Sequence, residues 1–386
     1  MNRAVLLVGF VLFAAMMGSN IPAPLYELYR VRFASTTFVM TAVFAIYPIA
    51  LVVMLILFAR LPDRIGRRPV LALGIVAAAL GSLSFVLAQS LVPLFVGRVL
   101  AAVAIGAVGA AGPPALVELD ATHDRRRAAL VATFAFSLAC GVAPFMSGVL
   151  AVVTSSPLVV PYVIQLVLCA LALASLALVP ETRPPRPRED VPVPRMTPVA
   201  LRAFVAAALT SGIVWWLASL FISILPAFVA TLLGVRSPAL QGALALVVFV
   251  VSPIAQILGR GASDRFAARA GLIGTAIALA ALLGAVPARS LLLLAVGGVV
   301  AGVAHGLGFL GAQSTVNRVA PAAARARLSA RFYAITYFCI AVPVLTVGGL
   351  TAWIGLYGAL SAVAGVVVVA ALVLAVVLPP GERSAA

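Results

Sequence analysis

Ala59-Arg60-Leu61-Pro62-Asp63-Arg64-Ile65-Gly66-Arg67-Arg68-Pro69 is the stretch that decides the fold. It packs four arginines and an aspartate into eleven residues of a chain that is only 9% charged. Long apolar runs, roughly 36–58 and 70–87, flank it. A short cationic turn broken by Gly and Pro between two such runs is what a membrane face requires.

Composition agrees. The 386 residues are 64% hydrophobic with a mean hydropathy of +1.21, against about 45–50% apolar content in soluble domains. A soluble fold of this length cannot hide that much apolar surface, so the solvent is lipid. The net charge of +16 is not a nucleic-acid signature, because the basic residues occur singly or in short clusters between apolar runs. All 26 basic residues are arginine. Cys140, Cys169 and Cys339 sit singly in apolar runs without CxxC spacing or a nearby His, which argues against disulfide and zinc sites.

A spanning helix needs about 20 mostly apolar residues. Twelve stretches qualify: 4–22, 36–58, 70–90, 92–116, 128–152, 159–180, 201–225, 238–259, 271–287, 290–314, 329–352 and 356–379. Continuous apolar runs without in/out alternation predict helices rather than a barrel. Arg3 with Ala4–Gly18 has the form of a signal peptide, but apolar segments follow throughout, so the first span is expected to be retained. With the N-terminus in the cytoplasm, 21 arginines fall on the cytoplasmic side, four on the other, and Arg98 lies inside a span. That bias predicts an integral protein of the plasma (bacterial inner) membrane with both termini cytoplasmic.

The proline-rich, mixed-charge connector 181–198 divides the chain into an N-terminal six-helix bundle, 1–180, and a C-terminal one, 199–386. The halves repeat. Shifted by 200 residues, Leu91–Gly112 matches Leu291–Ala312 at nine of 22 positions, and Arg125 and Arg127 fall on Arg325 and Arg327. Asp63-Arg64 falls within one residue of Asp264-Arg265, and Pro144 within one of Pro343. The expected fold class is an all-α membrane protein of 12 transmembrane helices, two six-helix bundles related by pseudo-two-fold symmetry.

The 59–69 loop resembles the Gly-x-x-x-Asp-Arg-x-Gly-Arg-Arg/Lys motif between spans two and three of the major facilitator superfamily. Asp63, Arg64, Gly66, Arg67 and Arg68 match; Ala59 replaces the first glycine. A degenerate second copy, Gly261-Ala-Ser-Asp264-Arg265, stands where that family repeats the motif. The resemblance implies a secondary transporter of a drug-efflux-like branch with a cytoplasmic gate involving Asp63, Arg64, Gly66, Arg67, Asp264 and Arg265. On physical grounds alone, Asp63 can accept from a helix N-terminus or pair with an arginine. The bland alternative is that these arginines only set topology.

Further candidates lie within the spans. Arg98, with Gly106, Gly109 and Gly112 downstream, resembles the family's span-four arginine-plus-glycine motif; a snorkelling arginine is the alternative. Gly141, Pro144 and Gly148 partly resemble a helix-bend motif of antiporters, with Pro343 the repeat's proline; plain helix packing explains them equally. Asn20 precedes Pro22 and Pro24, which break the first span. Trp215 and Trp216 fall near mid-span, and His305 lies in the tenth span with Gln313 beyond it. Spans one, four, seven and ten line the cavity in this family, and they carry Asn20, Arg98, Trp215 and His305. No carboxylate sits at bilayer depth, which leaves His305 with Arg98 as the remaining pair for proton handling. Gly306-Leu-Gly308-Phe-Leu-Gly311 matches G-x-G-x-x-G by letter only, lacking the strand and the acid of a dinucleotide site.

The resulting expectation is a non-enzymatic carrier in the lipid bilayer, moving a small organic solute by alternating access. It has no cofactor, catalytic residue, metal or nucleic-acid partner, draws on a proton gradient and works as a monomer. Aromatics, one cation and no buried acid favour efflux of amphipathic or anionic compounds. A sugar or other metabolite transporter of the same fold, or a non-transporting membrane sensor, is the alternative.

Overall fold

A computed structural model of the chain describes residues 3–120, 125–182, 196–232, 234, 237–321 and 325–378. Most of the 181–198 connector, and the side chains of Arg125, Arg325 and Arg327, lie outside the described residues. The elements are helices: α1 (Arg3–Asn20), α2 (Tyr26–Arg32), α3 (Thr37–Phe58), α4 (Leu61–Ile65), α5 (Arg67–Val86), α6 (Val92–Leu119), α7 (Arg125–Val153), α8 (Val160–Leu176), α9 (Pro198–Ser223), α10 (Leu225–Leu232), α11 (Pro238–Leu258), α12 (Asp264–Gly284), α13 (Leu291–Val319) and α14 (Arg325–Val377). Short 3-10 turns cover Ala23–Leu25 and Gly259–Gly261.

Among the described residues, ten helical stretches are long and apolar enough to cross a membrane. Two features separate ten from the expected twelve. The last stretch is two helices joined at Gly355, whose φ of 70° and ψ of 169° are not helical, in agreement with the expected spans 329–352 and 356–379. The sixth segment, expected over 159–180, is helical only over 17 residues. At a rise of 1.5 Å per residue that is about 26 Å, shorter than the roughly 30 Å of a hydrocarbon core.

Other boundaries moved for a local reason. Capping side chains, rather than the edge of apolarity, set where helices begin. Ser263 accepts from the Phe266 amide (3.3 Å) and starts α12 seven residues before the expected 271. Thr197 accepts from Ala200 N (3.2 Å) at α9, and Thr36 from Val39 N (3.3 Å) at α3. The first span is broken where Pro22 and Pro24 remove two donors, and the chain continues through the 3-10 turn into α2.

The helices divide into two compact units, one of residues Met1–Asp190 with Arg236–Leu246, the other of Val191–Val235 with Val247–Ala386. In the first unit α1 packs on α6, α7 and α8, and α5 lies along α6. In the second α9 packs on α13 and α14, and α12 lies along α13. Close approach is made by glycines at positions 200 apart. A Cβ on Gly74 would lie 2.7 Å from Val108 and 3.1 Å from the Ala104 carbonyl, and one on Gly274 would lie 2.9 Å from the Ala304 Cβ. A Cβ on Gly106 would lie 2.7 Å from the Met54 Cβ, and one on Gly306 would run into the Ser252 carbonyl. The three glycines of the G-x-G-x-x-G run meet Ser252, Val214 and the Asp264 carbonyl, so they serve helix contact.

Large apolar side chains stay outside, among them Ile56, Leu57, Leu292, Trp353 and Val366, as a hydrocarbon solvent permits. Gly106→Ala and Gly306→Ala are expected to destabilise the protein by about 1–3 kcal/mol each through overpacking. Gly109→Ala, whose Cβ would meet nothing within 4 Å, is expected to be neutral or slightly stabilising. Thermal unfolding in detergent checks all three.

Candidate functional site

In the first unit the polar residues of α1 and α6 come together. Arg98, 2% exposed, sits one α6 turn and a half from Val92 and turns inward rather than snorkelling. Its Nη1 donates to the Ser19 carbonyl and its Nη2 makes a long bond (3.4 Å) to the Phe44 carbonyl. The guanidinium lies 4.5 Å from the Tyr47 ring centre and 5.5 Å from that of Phe44. Its Nε has no partner. Asn20 spends its amide locally, on the Met16 carbonyl (3.1 Å), the Ser19 hydroxyl (2.9 Å) and the Cys140 sulfur (3.7 Å).

The α7 bend serves the same region. The Ser147 hydroxyl reaches the Ile21 carbonyl (2.9 Å) and the Pro144 carbonyl (3.3 Å). It satisfies backbone that the broken end of the first span leaves open. Gly141, Pro144 and Gly148 are all buried. Within the same unit a Cβ on Gly148 would meet the Pro238 carbonyl, and one on Gly242 the Pro144 carbonyl, so this bend is a close helix contact. Pro343, its counterpart inside α14, is partly buried.

In the second unit His305 is the centre of an aromatic cluster. Trp215 meets it edge-on at 4.4 Å, Phe309 stacks parallel at 6.0 Å, and Phe249 stands 6.0 Å away. Nδ1 lies 2.7 Å from the Ser252 hydroxyl, to which Gln256 donates at 3.4 Å. His305 Nε2 and the indole nitrogens of Trp215 and Trp216 are buried without partners. Trp216 is 1% exposed and belongs to the packing, whereas Trp215 is half-buried against His305. Gln313 stands apart, accepting from the Tyr333 hydroxyl at 3.5 Å. Arg98 and His305 thus belong to different units, and each has its own set of partners.

The opening loop is more ordered than a bare turn. Residues 61–65 form α4, and Gly66 then takes φ = 103°, a left-handed value that favours glycine. Arg67 joins two acids, with Nη1 2.6 Å from Asp63 and Nη2 3.1 Å from Glu118 on α6. The Glu181 carboxylate accepts from the amides of Arg67 (2.7 Å) and Arg68 (3.2 Å), capping α5 in place of the side chain Gly66 lacks. A Cβ at Gly66 would lie 2.6 Å from that carboxylate, a second reason for glycine. Arg64 is exposed. Ala59, where the motif expects glycine, is exposed with φ of −51°, so alanine costs nothing there.

The repeat keeps the acid and changes its partner. Asp264 pairs with Arg318 (3.2 Å) on α13, and the Arg67 position is occupied by Ala268. Arg318 stands 200 residues after Glu118, so a carboxylate in one half has become a cation in the other. Arg265 carries a buried Nε without a partner, while Arg269 donates to the Ala375 carbonyl near the end of α14 (2.6 Å). Glu118, Glu181 and Arg318 were not singled out from the sequence. Only the 200-residue shift carried a signal for two of them.

Arg67→Ala leaves Asp63 and Glu118 without their shared cation and is expected to cost about 2–4 kcal/mol in denaturant unfolding. Arg64→Ala should stay within about 0.5 kcal/mol of the parent.

A family model described as Major Facilitator Superfamily matches residues 8–269. No curated protein sequence matches the chain. Among solved structures, a POT family transporter in complex with a thioalcohol-conjugated peptide is 14% identical, with a TM-score of 0.80 over 97% of this chain and 95% of that one. A POT family transporter in complex with 5-aminolevulinic acid is 15% identical, with a TM-score of 0.79 over 97% and 96%. The human organic anion transporter MFSD10 (TETRAN) is 15% identical, with a TM-score of 0.67 over 97% and 99%. At these identities the likeness is one of fold. The matched family, like these neighbours, consists of transporters rather than enzymes. With its apolar helices and a family match over more than half its length, the chain is an integral membrane protein that belongs to the Major Facilitator Superfamily.

Proposed function

We propose that this transporter moves a small organic solute by alternating access, as a proton-coupled exporter of drug-like or amphipathic compounds. The observation that carries the reading is the burial of the least lipid-compatible side chains in two clusters, Arg98 with Asn20 and His305 with Trp215. Lipid-facing or merely structural helices have no reason to hold an arginine and a histidine with unpartnered nitrogens. Arg98, Asn20, Trp215 and His305 are assigned to solute or proton handling; Trp216, enclosed in the packing, and Gln313, which stands apart from the cluster, are left out of it. Asp63, Arg64, Gly66, Arg67, Asp264 and Arg265 are assigned to a cytoplasmic gate. The protein works as a monomer in the plasma membrane with both termini cytoplasmic, and needs no cofactor beyond the gradient.

A metabolite carrier of the same fold is the second reading. It is favoured by neighbours whose ligands are a peptide conjugate and 5-aminolevulinic acid.

In an efflux-deficient host, expression is expected to lower accumulation of at least one dye or antibiotic several-fold, and Asp63→Asn to restore it. Unchanged accumulation across the panel would turn the assignment toward metabolites. Collapse of the pH gradient should abolish the effect; export that survives it removes His305 from proton handling.

A further inference from the structure

Arg98 raises a charge-balance problem that its own unit does not solve. Moving a guanidinium out of water is costly unless an opposite charge accompanies it. Among the described residues its partners are two carbonyls and two aromatic rings, and no carboxylate is one of them. Among the described residues of this unit, Glu27 is engaged with Arg30, Asp63 and Glu118 with Arg67, and Glu181 with the α5 amides, while Asp120 lies at the far end of α6, 22 residues on from Arg98. The cation–π contacts with Tyr47 and Phe44 are weaker than a buried ion pair, which leaves the cation under-compensated.

The unsatisfied side of the group is specific. Nη1 is committed to Ser19, Nη2 is held only by the long bond to Phe44, and Nε is unpartnered. Nε and Nη2 form the edge of a guanidinium that takes both oxygens of a carboxylate in two parallel hydrogen bonds. Tyr26 adds a second observation: its hydroxyl is buried, has no partner, and lies within electrostatic reach of Arg98. Its O–H is a further donor available to an anion.

We infer that Arg98 receives the anionic head of the transported solute through its Nε–Nη2 edge. The cargo class is therefore an organic carboxylate with an apolar body, the counter-charge that the bundle lacks. Tyr47 and Phe44 flank the guanidinium and offer that body aromatic surface. This inference rests on the chain being a carrier, and it narrows the cargo from amphipathic compounds in general to anionic ones.

The test uses three molecules of one skeleton on the full-length protein in detergent: 4-phenylbutyrate, its neutral amide and the cationic 4-phenylbutylamine. Thermal unfolding is followed at neutral pH up to about 10 mM ligand. The carboxylate is expected to raise the melting temperature in a saturable way, and the amide and amine are not. Arg98→Lys should keep that order with about 10-fold weaker apparent affinity, because lysine retains the charge and loses the fork. Arg98→Gln should lose the preference altogether; should that variant not fold, the wild-type series and the lysine variant decide. Equal stabilisation by the amide or amine, no response to any of the three, or a carboxylate preference that survives in Arg98→Gln overturns the inference. Counterflow in proteoliposomes separates it from the carrier reading. Arg98-dependent carboxylate binding without counterflow removes the carrier and keeps the anion site, whereas counterflow of the amine by wild type does the reverse.

Discussion

Gly106 against Met54 and Gly306 against the Ser252 carbonyl show the constraint under which this chain is built. Hydrocarbon gives two apolar helices no hydrophobic reason to associate, so attraction must come from close van der Waals contact and from hydrogen bonds. Removing the side chain at one position per helix turn lets backbones approach until such contacts form. The glycine pairs 74/274 and 106/306 place that device at matching points of both units. Everything polar in the structure hangs on the same lack of water. Serine and threonine hydroxyls return to carbonyls one turn back, as Thr275 does to Gly271 and Ser82 to Ala78. The freed Ile21 carbonyl finds Ser147.

Against that background the polar clusters stand out as expenditures the fold does not need. A leucine at 98 would span as well as an arginine and would desolvate no charge. An apolar residue at 305 would span as well as a histidine, and the Ser252 oxygen would still accept from Gln256. Unpartnered nitrogens at Arg98, His305 and Trp215 are costly in a low-dielectric interior.

Much of this was readable from the chain, and the reasons for success and failure are physical. Apolar runs of 20 residues report a hydrocarbon solvent directly, and the Asp63–Arg68 loop marks its edge. The 200-residue shift exposed the duplication because glycines at close contacts tolerate little substitution. Helix starts were harder: Ser263 caps α12 well before its apolar run begins, and hydropathy is blind to caps. The short α8 was equally invisible, since its apolar text runs on past the last helical turn, whereas the break at Gly355 falls where the sequence separates the last two spans. Within the clusters, the sequence indicated which residues were unusual but not their neighbours. That Arg98 would meet Tyr47 from α3, or that Glu181 would cap a helix 114 residues earlier, depends on contacts between distant segments.

The two copies of the loop motif differ in one respect that bears on how the molecule is made. The Asp63–Arg67 pair is separated by four residues and closes across the Gly66 turn between α4 and α5. Its counterpart, Asp264–Arg318, joins positions 54 residues apart. A ribosome delivers the chain N-terminal end first, so the first contact can form as soon as that turn leaves the exit tunnel. The second must wait until α12 has crossed and α13 has been synthesised to its last turn. The charge exchange between Glu118 and Arg318 thus leaves the second copy with the long-range contact alone, whereas in the first Arg67 holds both Asp63 nearby and Glu118 51 residues on.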